Sequence, residues 1–159
     1  MKKLILSFVF VAMALGAFSQ GIFSGGIEVG LPLGTFSDGW NAGFGVSARY
    51  EAAIQDKLNW TATGGFLSFG GKTISRFKYS SITIIPIQGG IKYFFKESNK
   101  GAYGGAEIGL MFASGGSSSE TKFGFSPGIG YRTGKIDFLG KFNVVSDLNY
   151  FSIRAAYVF

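Results

Sequence analysis

Beyond position 20 the side chains alternate between apolar and polar with a period of two, and the 3.6-residue period of an amphipathic helix is hard to find. The alternation predicts eight strands, over 23–32, 43–53, 57–68, 81–95, 102–113, 122–132, 135–145 and 150–159, each bounded by Gly, Ser, Asn or Asp. Their connections alternate in length. Pro32–Ala42, Gly70–Ser80, Ser114–Thr121 and Ser146–Asn149 are the longer ones, and Gln55-Asp56, Lys96–Lys100 and Thr133-Gly134 are tight. Such a meander delivers its long loops to one rim and its short turns to the other. The predicted fold is all-β, an eight-stranded antiparallel up-and-down β-barrel.

Sorting each strand by alternate positions separates two sets. One runs through Ile27, Val29 and Leu31, then Phe44, Val46, Ala48 and Tyr50, and continues in the same manner to Phe151, Ile153, Ala155, Tyr157 and Phe159; it holds no charged residue. The other contains Glu28, Arg49, Glu51, Lys92, Glu107, Arg132, Asp137, Lys141 and Arg154, with Ser47, Asn59, Thr61, Thr63, Gln88, Ser126, Asn143 and many glycines. Two arrangements are open: a soluble barrel with the aromatic set as its core, or a transmembrane barrel with that set facing lipid. An eight-stranded barrel is only just wide enough for side chains to fill it. The large apolar set would overfill it, whereas a set rich in Gly, Ser and Thr fits. A soluble exterior should also be rich in Lys and Glu, and this polar set is mostly Gly and hydroxyl residues. Both arguments favour the membrane.

The distribution of aromatics adds a third argument. With odd-numbered strands running outward from the periplasm, Tyr50, Trp60, Tyr93, Tyr131 and Tyr157 all fall at the periplasmic end, and Phe44, Phe66, Phe112, Phe123 and Phe151 at the outer end. Girdles of this kind suit a lipid-facing barrel, with amphipathic Tyr and Trp where the ring meets water.

The amino terminus reads differently. Lys2 and Lys3 precede an apolar run from Leu4 to Ala17, and Ala17-Phe18-Ser19 stand before Gln20. Residues 1–19 are expected to be a cleaved signal peptide, too short to span a bilayer, and residues 20–159 the barrel domain. Without the two lysines the net charge falls from +6 to +4, with 13 Lys and Arg against 9 Asp and Glu. That charge is too small and scattered to point to nucleic acid.

The mature pattern resembles the small outer-membrane barrels of the OmpX and OmpA-barrel type over essentially its whole length. The sharpest feature is Phe151-Ser152-Ile153-Arg154-Ala155-Ala156-Tyr157-Val158-Phe159. In that family an ending with alternate apolar residues and a terminal Phe resembles the signal read by the outer-membrane assembly machinery, so the resemblance implies that role for Tyr157 and Phe159. It also implies a location in the outer membrane of a Gram-negative cell envelope, with lipid and lipopolysaccharide as neighbours. A monomer is expected, since a barrel that closes on itself needs no second subunit.

Candidate chemistry is limited by what is missing: the chain has no Cys and no His. Disulfides, thiolate nucleophiles, His-dependent triads and the usual zinc sites are excluded, and no catalytic residue, cofactor or metal is expected. The lipid A-modifying barrels of this membrane use a catalytic His, so the chain is not expected to be an enzyme. The nine inward charges are expected to pair within the barrel, since buried charge must be paired or hydrated. Gly71-Lys72-Thr73 lacks the earlier Gly of a phosphate loop, Phe66 standing in its place. Lys72, Arg76 and Lys78 cluster in the second long loop, where lipopolysaccharide phosphates would be within reach; a merely solvated loop is the alternative. Three functions follow from these readings. They are a structural or surface-interaction barrel without an open pore, a narrow porin-like channel through the polar interior, and a soluble periplasmic ligand-binding barrel.

Overall fold

The computed structural model describes residues 21–74, 77–116 and 118–159, so the predicted signal peptide lies outside the described residues. Ten strands and one short helix form: β1 (Ile22–Pro32), α1 (Thr35–Gly39), β2 (Trp40–Gln55), β3 (Leu58–Gly71), β4 (Thr73–Ile74), β5 (Phe77–Lys78), β6 (Ile82–Phe94), β7 (Gly101–Gly115), β8 (Ser118–Thr133), β9 (Ile136–Val145) and β10 (Tyr150–Val158). Eight of them close an antiparallel barrel in the order β1-β10-β9-β8-β7-β6-β3-β2. Every barrel strand pairs with its sequence neighbours, and β10 returns to β1 with Glu28 opposite Arg154 and Ser24 opposite Val158. Closure leaves no unpaired strand edge.

The two faces separate as the alternation predicts. Ile27, Phe44 and Ile129 stand outside at 65%, 66% and 73% exposure, while all nine charged residues of the other set are buried. No outward-facing residue of the described barrel strands is charged. No described helix is long and apolar enough to cross a membrane. Any crossing would be made by strands.

The loops differ from expectation in three places. The fifth connection is not a long loop: β7 and β8 run on to Gly115 and Ser118, which pair with one another. The small residues of that segment allow continued pairing as readily as a loop, and Gly116 at φ 59° supplies the left-handed turn. The first connection contains α1, which drops Phe36 into the barrel mouth. The third contains the β4–β5 hairpin, a separate two-stranded sheet. At the opposite rim the turns are tight, with Lys57, Asn99 and Gly134 at positive φ.

Candidate functional site

The barrel interior is stacked in layers whose composition follows from which strand positions face inward. At the mouth next to α1, Phe36, Leu67, Phe69, Ile84, Met111 and Tyr150 form a buried apolar lid. Its rings meet edge to face, Phe36 with Phe69 at 5.0 Å and Phe69 with Tyr150 at 5.4 Å between centroids. Gly30 and Gly43 make room for it. A Cβ on Gly43 would lie 2.5 Å from the Phe69 ring, and one on Gly30 2.7 Å from it.

Beneath the lid a chain of neutral polar groups crosses the lumen. Gln88 Nε2 donates to Ser126 Oγ at 2.8 Å, Ser126 Oγ to Asn143 Oδ1 at 2.8 Å, and Asn143 Nδ2 to Ser152 Oγ at 3.0 Å. Four strands are tied by two hydroxyls and two side-chain amides.

Two ionic clusters follow. In the first, Glu107 Oε1 accepts from Arg49 Nη2 at 2.8 Å and from Thr63 Oγ1 at 2.6 Å, while Oε2 lies 3.4 Å from Lys141 Nζ. Lys141 reaches Glu28 only at 3.7 Å. In the second, Glu51 Oε1 accepts from Lys92 Nζ at 2.9 Å and Arg132 Nη2 at 2.6 Å. Asp137 Oδ2 accepts from Lys92 Nζ at 2.7 Å and Arg132 Nε at 2.8 Å, and Asp137 Oδ1 from the Tyr103 hydroxyl at 2.5 Å. The Lys92 ammonium also sits 3.8 Å from the centre of the Tyr103 ring, a cation–π contact. This cluster joins β2, β6, β7, β8 and β9. Phe94, Tyr103 and Leu139 form a second small apolar cluster at this end.

Eight of the nine predicted charges therefore meet a partner of opposite sign. Arg154 does not, contrary to expectation. Its Nε donates to Ser47 Oγ at 2.8 Å and its Nη2 to the Ser24 hydroxyl and carbonyl at 3.2 and 3.3 Å. Register places Glu28 directly across from it, yet the guanidinium turns toward Ser24 and Glu28 turns toward Lys141. Among the described residues neither Glu28 carboxylate oxygen accepts a hydrogen bond, and Arg154 Nη1 donates none. Tyr103 is the member that the sequence reading overlooked. It lies four positions before Glu107 on β7, in the same inward phase.

The space enclosed among Arg49, Lys92, Tyr103, Glu107 and Lys141 is about 20 Å³. That is room for about one water molecule. Glu51, Glu107 and Asp137 all accept from buried cations, so none of the three is a free acid or base.

The remaining predicted residues are on the outer face and the loops. Tyr50 contacts Trp60 at 5.4 Å, Tyr93 contacts Phe95 at 6.1 Å, and Tyr157 contacts Phe159 at 5.4 Å between ring centroids, all at the rim of the tight turns. Tyr131 is exposed beside them. The terminal Phe159 is held by its amide on the Phe23 carbonyl at 2.9 Å. Lys72 donates from Nζ to the Ser37 carbonyl at 2.5 Å, which fastens the third connection to α1. Lys78 lies on β5, and Arg76 lies outside the described residues.

No family model matches the chain, and no curated protein matches it closely in sequence. Solved structures do match in fold. The attachment invasion locus protein Ail of Yersinia pestis aligns with a TM-score of 0.62 at 13% identity, over 89% of this chain and 99% of that one. A second Ail structure, in complex with the heparin analogue sucrose octasulfate, aligns at 0.55 and 16% identity, over 87% and 97%. Neisserial surface protein A aligns at 0.53 and 17% identity, over 87% and 94%. The outer membrane protein OprG of Pseudomonas aeruginosa aligns at 0.55 and 10% identity, over 89% and 96%. The chain thus has the fold of small eight-stranded outer-membrane barrels.

Proposed function

We propose that the chain is an integral protein of the bacterial outer membrane, non-enzymatic, with a structural or surface-interaction role and no open pore. The observation that carries this reading is the inverted distribution of side chains: charges inside at 0–5% exposure, and isoleucines and phenylalanines outside at up to 73%. In water such a surface would drive association, because large contiguous apolar patches mark contacts with a partner or a membrane. In a bilayer it is matched to its solvent. The rings of Tyr50, Trp60, Tyr93, Tyr131 and Tyr157 then lie at the periplasmic interface, and Tyr157 and Phe159 serve as the assembly signal. The fold likeness to Ail and to Neisserial surface protein A supports a role at the cell surface.

Closure of the interior rests on the stacked layers. A solute entering from the α1 side would meet the aromatic lid, then the amide and hydroxyl chain, then two ionic clusters around a void of about 20 Å³. The loop cations Lys72, Arg76 and Lys78 are proposed to face lipopolysaccharide phosphates, Lys72 with the donors left after its bond to Ser37.

Heat-modifiable migration tests the membrane assignment: protein extracted from an outer-membrane fraction should run compactly unheated and shift on boiling. Recovery in the soluble periplasm ends that assignment. Planar-bilayer recordings test closure. A flat trace is expected, and conductance steps altered by Glu107→Ala or Arg154→Ala would replace the closed barrel with the narrow channel.

A further inference from the structure

The turn between β6 and β7 carries two exposed lysines, Lys96 and Lys100, at the rim of the tight turns. Neither ammonium pairs with a carboxylate among the described residues. Glu97 lines the same recess, so the local charge is two bases against one acid. The nearby Asp56 accepts from the Ser98 hydroxyl. This recess, about 310 Å³, is bounded on its barrel side by Phe95, Ala102 and Tyr131.

The same three residues begin a second, larger groove of about 600 Å³ on the outer wall. It passes over Ala102 and ends above Gly140, walled by Ile129, Phe138 and Phe151. Small residues make its floor. A Cβ on Gly140 would already touch the Phe151 ring at 3.2 Å. The two recesses adjoin through Phe95, Ala102 and Tyr131 and together make a slot that is cationic at the rim and mostly apolar further along the wall. Another groove of about 630 Å³, over Gly25, Ala48, Gly64 and Ala155, is comparable in size, and like the groove above Gly140 it has no charged residue in its own lining; Lys96 and Lys100 line the rim recess that adjoins the latter.

We propose that this slot binds one anionic glycerophospholipid of the periplasmic leaflet, its phosphate at Lys96 and Lys100 and an acyl chain between Phe95 and Tyr131 toward Gly140. The proposal rests on the membrane reading above. An ammonium is a point-charge donor for phosphate, and basic residues at a membrane surface favour anionic lipid. The apolar groove lies within the size range of small-molecule sites, roughly 300–1,000 Å³. Glu97 and the neighbouring Asp56 repel the headgroup and temper the affinity, and Lys57 on the adjoining turn keeps the bases at three against two acids.

The full chain refolded in detergent micelles is to be titrated with dioleoylphosphatidylglycerol or dioleoylphosphatidylcholine and examined by native mass spectrometry. One phosphatidylglycerol should stay bound, about tenfold tighter than phosphatidylcholine. Lys96→Gln with Lys100→Gln should remove the preference, and Lys135→Gln, on the neighbouring turn, should keep it. Ala102→Leu should weaken both lipids by occupying the slot. Raising the salt should erase the wild-type preference, which tests the charge even if the double variant does not fold. Equal retention of the two lipids by the wild type, or a preference that survives the double variant or high salt, overturns the site. Heat-modifiable migration of the same samples separates the two ideas. A protein that never shifts on boiling fails as a membrane barrel, whereas one that shifts normally and shows no lipid preference refutes the slot alone.

Discussion

The Arg132 guanidinium meets the Glu51 carboxylate at 2.6 Å across the lumen, although 81 positions separate the two in the chain. Lys92 and Asp137 complete a buried group of two bases and two acids, balanced in charge. Such a group stabilises little against apolar replacements as a whole, but taking out one member strands its partners. Glu51→Gln leaves Lys92 and Arg132 to share Asp137. The expected cost is about 3–5 kcal/mol, measured by urea unfolding of the folded protein in lipid vesicles. A loss below about 1 kcal/mol would mean that water already screens the cluster.

Arg154 should behave differently from Arg132. Its donors go to two serine hydroxyls and a carbonyl, so replacing it strands no carboxylate that it directly bonds. Arg154→Gln is expected to cost about 2 kcal/mol less than Arg132→Gln in the same urea experiment, the difference between losing neutral hydrogen bonds and breaking a buried ion pair. Equal costs would show that Arg154 and Glu28 interact through the lumen despite turning apart.

The inward or outward direction of these charges was legible in the sequence because a period of two has only one phase per strand. Their partners were not. Pairing Arg132 with Glu51 needs the register of the whole closed sheet, and Arg154 bonds Ser24 although the register sets it opposite Glu28, a choice between side-chain directions that alternation does not encode. The apolar lid escaped notice for a different reason. Around Ile84-Ile85 and Met111-Phe112 both faces are apolar, so alternation carries no signal, and in each pair the first residue faces in and the second out. Phe36 sits in a five-residue helix too short to show a period. The serine- and glycine-rich stretch near 115–118 read as a loop because those residues favour loops, yet cross-strand pairing continued through it.

The loop over the barrel mouth is held by a small number of contacts. Trp40 Nε1 donates to the Ser80 carbonyl at 3.0 Å, and its ring packs against Phe36 and Tyr79 at 5.3 and 5.5 Å between centroids. Trp40→Ala removes the bond and both ring contacts at once. Protease added outside intact vesicles should then cut within 72–81 at least about tenfold faster, the change expected when about 1.4 kcal/mol of local opening free energy is lost. Heat-modifiable migration should be unchanged, because Trp40 lies at the end of β2, away from the ionic layers. An unchanged cleavage rate would assign the loop's order to Lys72 and the backbone bonds instead.

Glycines in the wall divide into those that the packing requires and those that it does not. A Cβ on Gly45 would fall inside contact distance of the Phe66 carbonyl on the paired strand, whereas one on Gly64 would meet nothing within 4 Å. Gly45→Ala must push β2 from β3 or twist the pair, and a clash against backbone has no rotamer to relieve it; overpacking of this kind costs about 1–3 kcal/mol or more. Gly64→Ala faces the exterior in an extended segment, where Ala is favoured over Gly by about 0.5–1 kcal/mol through the unfolded chain. Refolding the two variants side by side into vesicles should give a sharply reduced heat-modifiable fraction for Gly45→Ala and a wild-type or larger fraction for Gly64→Ala. If both refold alike, the β2–β3 register drawn from Val46 opposite Phe66 is wrong by at least one residue, which would also exchange the inner and outer faces of one strand.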